Sequence, residues 1–218
     1  MADPATRIKE APGATSTREE DYRADYVSQY SAEQVNPIAY DDARRNYEEA
    51  LSECLPGSSL FIFGGGSSVH PNFYKRQGRF SKVISTDIVE QARKGLDPDV
   101  EFRIFNVLTD EFPETDYIFS SHTVEHFTRD EIMGTILPKC LAAAKQAVIF
   151  LVPWKDLGWG SAKAEGPHIV ELCEDDELAA YASKWKRVRD NPTVDCPDQY
   201  GLELILWFEG QSNVATTK

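Results

Sequence analysis

Three short stretches of this chain carry residue types suited to chemistry: Gly64-Gly65-Gly66, Asp87, and Ser121-His122-Thr123-Val124-Glu125-His126. A strand that ends in glycines and opens a helix brings backbone N–H groups up to a ligand, because no side chain blocks the approach. The same turn also serves as a plain tight connection. Asp87 closes the apolar run VIST, 21 residues after Gly66. There a carboxylate can accept two hydrogen bonds from ribose hydroxyls, and the pair of features suits a nucleoside. A dinucleotide fingerprint would need a further glycine at the position of Val69, which speaks against NAD or FAD. His122 follows another apolar strand and titrates near neutrality, so it can take a proton from an attacking hydroxyl. It can equally cap a turn, and proximity alone would suffice for a reactive acceptor.

The elements that must hold these residues alternate along the chain. Apolar strands are expected at 59–63, 82–86, 102–106, 116–121 and 147–153, separated by helical stretches near 69–78, 89–95 and 129–145. Strands of this kind bounded by helices imply an α/β, doubly wound, mostly parallel sheet covered on both faces. Ligands of such sheets bind beyond the carboxyl ends of the strands, where Ser121 and His122 would face the reacting centre. A long loop from 154, a helix near 174–184 and closing strands at 185–190 and 202–208 complete the pattern, with an irregular connection over 191–200. Residues 1–20 lack periodicity and read as a disordered arm. Residues 21–55 read as two helices broken at Asn36-Pro37, within a domain spanning 21–218.

Composition narrows the function further. The 218 residues, 41% hydrophobic and 27% charged, suit one globular domain. Without an apolar run of membrane-spanning length or a signal-like N-terminus, a soluble, cytoplasmic protein is expected. A net charge of −13 leaves no electrostatic footprint for nucleic acid, so a small acceptor fits better. Cys54, Cys140, Cys173 and Cys196 are scattered and read as reduced thiols.

The motifs FIFGGGSS, VISTDIVEQARKG, FRIFNVLTDEFP and DYIFSSHTVEHF resemble, in order and spacing, those of the class I S-adenosylmethionine (SAM)-dependent methyltransferases. The resemblance covers about residues 58–153 well and the last third more loosely. It implies a seven-stranded sheet with N-terminal helices, its last strand inserted antiparallel. It also implies that Gly64, Gly65 and Gly66 pass the methionine part of SAM, that Asp87, followed by Ile88, holds the ribose, and that Asn106 and Val107 meet the adenine, with Ser121 nearby. Ile62 and Ser68 stand where the family usually has an acidic residue and a third glycine.

By the same resemblance, the loop after the fifth strand and the N-terminal helices build the acceptor pocket. Trp154 and Trp159 would offer flat faces to a sugar or aromatic ring unless they close the core. Tyr26, Tyr30 and Tyr40 would lie in a lid, and His168 is a second candidate base. The run His122 to His126 also spells H-x-x-E-H, which resembles the inverted zincins, but it follows a strand and does not sit within a long helix, so zinc is rejected. The acids Glu174-Asp175-Asp176-Glu177 are expected to favour a helix start and not to bind metal. Mg²⁺ at the acceptor stays open. The expected activity is methyl transfer from SAM, leaving S-adenosylhomocysteine (SAH), to a hydroxyl oxygen of a small molecule or carbohydrate. The alternatives are transfer to a small amine and a non-catalytic SAM- or SAH-binding module.

Overall fold

The computed structural model of the chain describes residues 7–10, 46–66, 70–94, 96–154, 169–189 and 202–211. Seven strands form the main sheet: β2 (Ser59–Ile62), β3 (Lys82–Asp87), β4 (Glu101–Ile104), β5 (Thr115–Ser121), β6 (Ala144–Pro153), β8 (Lys184–Arg189) and β9 (Leu202–Glu209). Their order is β4-β3-β2-β5-β6-β9-β8. The pairs from β4 to β6 are parallel, while β9 runs antiparallel to both β6 and β8. Each strand lies within two residues of its sequence-based position except β6, which begins three residues early, at Ala144, where the helix over 129–145 is expected to end. The chain leaves β2 for β3 on one side and returns to β5 on the other, so the sheet reverses its order at β2/β5. That reversal opens the crevice in which ligands of open α/β sheets bind.

Side-chain alternation explains why both faces of the sheet are covered. Phe61, Phe63, Ile118, Val148, Phe150, Leu204 and Leu206 pack on one face with Ile132, Ile136, Leu137 and Cys140. Leu60, Ile62, Tyr117, Phe119, Ile149, Leu151 and Ile205 pack on the other with Ala50, Leu51 and Tyr74. A strand buried on both sides must be apolar at consecutive positions, which is why VIFLVP in β6 shows no polar alternation. Tyr74 belongs to α1 (His70–Arg76), and residues 46–50 form the described end of the N-terminal helical segment. The rest of that segment, residues 21–45, lies outside the described residues.

The expected helix at 129–145 is built in three parts: α2 (Arg129–Glu131), a π-helical turn (Ile132–Ile136) and α3 (Leu137–Ala143). Pro138 sits in the first turn of α3, where its missing N–H costs least, and the wider π turn takes up its ring. Thr128 and Glu131 form a reciprocal capping box at the start. The expected helix at 89–95 shortens to a 3-10 turn, Glu90–Arg93.

Residues 7–10 differ from the expected loose arm. Ile8 is buried, and β1 (Lys9–Glu10) pairs antiparallel with β7 (Val170–Glu171). The stretch is also tied down by Ile8 N donating to Glu177 Oε1 at 3.0 Å and Arg129 N donating to Glu10 Oε1 at 2.6 Å. No described helix is long and apolar enough to cross a membrane.

The acidic run 174–177 also divides differently from expectation, since α4 (Glu177–Tyr181) begins only at its last member. Glu174 binds the Trp154 indole, Glu177 pairs with Arg129, and Asp176 is the N-cap, accepting from Ala179 N at 2.8 Å and Cys173 N at 2.7 Å. Burial pushes the Asp176 carboxyl up from 3.8 to about 6, despite those bonds. The fold therefore holds this proton more tightly than the unfolded chain does, so the stability it contributes is full below pH 3.8 and lost as pH rises through about 6. Thermal melts should show wild type losing stability relative to Asp176→Asn across that window, and parallel curves would contradict the assignment.

Candidate active site at the carboxyl edge of the sheet

The glycine turn is shaped by contacts that leave no room for side chains. Gly64 and Gly66 have φ of 63° and 56°, the left-handed region. A Cβ on Gly64 would fall 2.6 Å from Thr123 Cγ2, and one on Gly65 would fall 2.5 Å from Ser85 Oγ. Gly65 N donates to Thr86 O at 2.8 Å, and Gly66 N donates to Asp87 Oδ2 at 3.0 Å. The turn after β2 is thus fastened to the end of β3 on one side and packed against the residues following β5 on the other.

Gly64→Ala should destabilise the chain by the roughly 1–2 kcal/mol of a left-handed alanine plus the clash with Thr123. Removing Thr123's side chain as well should recover the clash but not the backbone term. Denaturation midpoints of the two single variants and the double variant would measure both, and additive effects would show that the two residues do not meet.

Asp87 is 2% exposed and also accepts from Val89 N at 3.2 Å through Oδ1. Two backbone bonds fix the carboxylate. Ile88 is half-buried beside Val89 and Ala92. The next loop is tied to β3 by Phe105 N donating to Asp87 O at 2.8 Å. Asn106 Oδ1 accepts from Leu108 N at 3.0 Å, so its side chain shapes this loop, and Val107 is buried in the core. Asp87 ends β3 and Asn106 follows the neighbouring β4, at the carboxyl ends of adjacent strands, while Val107 packs into the core.

On the other side of the turn, Ser121 Oγ donates to Tyr47 Oη at 2.9 Å. His122 has a φ of 50°, unusual for a residue with a side chain, and its N donates to Leu151 O at 3.0 Å. Backbone strain of this kind gathers at functional sites. The imidazole is about one-third exposed, with Nε2 2.6 Å from Glu203 Oε1 and Nδ1 3.8 Å from Glu125 Oε1. Glu203 is 5% exposed, and its Oε2 accepts from Asn46 Nδ2 at 2.5 Å. Glu125 and His126 occupy a 3-10 turn, Val124–His126, with Glu125 buried and its carbonyl accepting from Ile169 N. The H-x-x-E-H residues accordingly do not share the face of one α-helix. Among the described residues, no group of three His, Cys, Asp or Glu side chains is placed to hold a metal ion.

Trp154 is held at the same edge, its indole N–H donating to Glu174 and one ring face covered by Arg187 at 5.1 Å. The ring also packs against the hydrophobic core, so Trp154 helps to close the core. Tyr26, Tyr30, Tyr40, Trp159, His168, Ser68 and Val69 lie outside the described residues. Cys54 and Cys140 are buried thiols, and burial pushes Cys54 up to about 12, so it stays protonated.

Sequence reasoning gave no role to Thr123, Glu203, Asn46 or Tyr47. Glu203 had a visible signal, a carboxylate as the second residue of an otherwise apolar strand. The other three had none.

No family model and no curated protein sequence matches this chain. Solved structures do share its fold. The 1,6-didemethyltoxoflavin-N1-methyltransferase of Burkholderia thailandensis, crystallised with 1,6-didemethyltoxoflavin and SAH, has a TM-score of 0.65 at 17% identity, covering 93% of this chain and 95% of that one. The magnesium protoporphyrin IX methyltransferase of Synechocystis PCC 6803, with bound SAH, has a TM-score of 0.59 at 14% identity, covering 85% and 94%. The [4+2]-cyclase SpnF has a TM-score of 0.62 at 10% identity, covering 91% and 99%. Identities this low establish architecture alone. With its reversal at β2/β5 and its antiparallel β9 between β6 and β8, the chain has the class I methyltransferase fold.

Proposed function

We propose that this chain is a SAM-dependent methyltransferase acting on a hydroxyl oxygen of a small molecule or carbohydrate. The observation that carries the cofactor reading is the cradle at Gly64 and Gly65, where any Cβ would collide, joined through Gly66 N to the buried carboxylate of Asp87. A tight glycine turn at the crevice with a buried carboxylate fastened beside it suits the amino-acid and ribose parts of SAM. Two of the structures sharing this fold are methyltransferases crystallised with SAH, which agrees with that fit. When bound, SAM supplies a sulfonium methyl group, and its transfer leaves neutral SAH.

The choice of a hydroxyl rests on His122. SpnF is a cyclase on the same architecture, so fold alone does not specify methyl transfer, and the chemistry must come from the residues at the acceptor end. A hydroxyl is a poor nucleophile until it gives up its proton. As the acceptor oxygen forms its bond to the methyl carbon and the C–S bond breaks toward sulfur, the hydroxyl proton passes to the imidazole, which returns it to water after product leaves. The neighbouring carboxylate of Glu203 offsets the charge formed on the ring.

Calorimetric titration with SAM, SAH and NAD is the direct test. Micromolar binding of the first two and none of the third would support the reading. SAH release should then be screened with sugars, small alcohols and amines. Absence of SAM binding would overturn the proposal. Turnover with amines alone would transfer it to nitrogen.

A further inference from the structure

The stretch from His122 to Thr128 carries the proposed base and leads into α2, and it is held from outside the crevice. Ile169 N donates to Glu125 O at 2.9 Å, and the chain passes from Ile169 directly into β7. β7 pairs in turn with β1, Lys9 opposite Glu171 and Glu10 opposite Val170. At the other end of the stretch, Arg129 N donates to Glu10 Oε1 at 2.6 Å. The Arg129 guanidinium binds Glu177, and the same carboxylate accepts from Ile8 N at 3.0 Å. Residues 8–10 therefore grip β7 on one side of the His122 turn and the start of α2 on the other.

Little holds this grip in place. Of residues 7–10 only Ile8 is buried, while Arg7, Lys9 and Glu10 are exposed. The Lys9–Glu171 pair lies at the surface, where an ion pair adds little. Among the described residues β1 pairs with β7 alone. A short segment with one apolar anchor opens at lower cost than a strand in the middle of a sheet. The cofactor half of the crevice has separate fastenings, since Gly65, Gly66 and Phe105 all bond the end of β3. Opening the N-terminal contacts would thus loosen one half of the site and spare the other.

We propose that residues 7–10 are a releasable strap that governs the His122 turn. Docked, the strap clamps the turn between β7 and α2. Released, it leaves the turn mobile and the cofactor half unchanged, so the docked fraction sets the active fraction. The link to turnover rests on the methyltransferase reading, while the docking itself does not.

The test is amide hydrogen exchange of the full chain, read at Ile169 and Arg129, whose N–H groups make the bracing bonds. In Ile8→Asp, which puts a charge at the one buried anchor, both should lose protection by about 10-fold or more. Phe63 and Phe105, bonded within the sheet and to the end of β3, should keep theirs. With an acceptor found by the SAH-release screen, turnover should fall by about 3–30-fold at unchanged SAM affinity, the range in which residues remote from a ligand modulate a site. Ile8→Leu, which restores the apolar anchor, should recover both protection and rate.

Unchanged protection at Ile169 and Arg129 would overturn the inference. So would lost protection with full turnover, or a matching loss of SAM affinity. If Ile8→Asp loses protection throughout the sheet, the milder Ile8→Ala decides: selective loss at the two bracing amides supports the strap, and uniform loss or none overturns it. A wild-type chain that does not bind SAM would sink the methyltransferase reading, and the exchange data would still decide whether the strap braces the turn.

Discussion

His122→Ala should lower turnover by about 10²–10⁴-fold while leaving SAM binding intact, because in the proposed mechanism the imidazole acts on the acceptor and not on the cofactor. The geometry separates the two roles. Cofactor recognition is assigned to the glycine turn and Asp87, fastened together on one side of the crevice, whereas His122 bonds the end of β6 and Glu203 on the other. A base must be unprotonated to work, so wild-type turnover should rise with pH along its acid limb, and the alanine variant should lose that limb. Single-turnover rates at saturating SAM would measure both. Full activity in the variant would move the base to His168 or leave catalysis to proximity alone. A parallel loss of SAM binding would mean that the left-handed backbone at position 122 shapes the crevice as a whole.

That division was partly legible in the sequence, and what was legible follows from locality. β2, β3 and β5 are short apolar runs that lead into glycine or end on aspartate or serine, and local patterns of that kind need no knowledge of distant residues. The glycine turn and Asp87 are likewise adjacent through one β-α-β unit. The insertion of β9 came from resemblance and not from pattern, since LELILWF would read the same in either direction. What escaped is non-local. Glu203 is 81 residues from His122, and Asn46 is 157 residues from Glu203, so their meeting depends on where β9 enters the sheet. The π-helical turn escaped for another reason: the apolar periodicity of 129–143 is helical throughout, and Pro138 signals a local widening that periodicity does not register. Ile8 was hidden among polar neighbours, where one apolar residue leaves no periodic trace.

Asp87→Ala should weaken SAM binding by about 1.5–3 kcal/mol, the worth of hydrogen bonds to a charged group. The substitution removes more than a ribose partner, because the carboxylate also receives Gly66 N and Val89 N and so holds the turn against the end of β3. Asp87→Asn separates these contributions. The amide oxygen can keep one backbone donor, but the NH₂ group faces the other donor or the ribose and cannot accept from either. If the carboxylate acts mainly on the ligand, the Asn variant should melt close to wild type and still lose most of the affinity. If it acts mainly on the turn, both variants should lose stability and affinity together. Calorimetric titration with SAM beside thermal melts distinguishes these results, and unchanged affinity in the alanine variant would remove Asp87 from the binding site altogether.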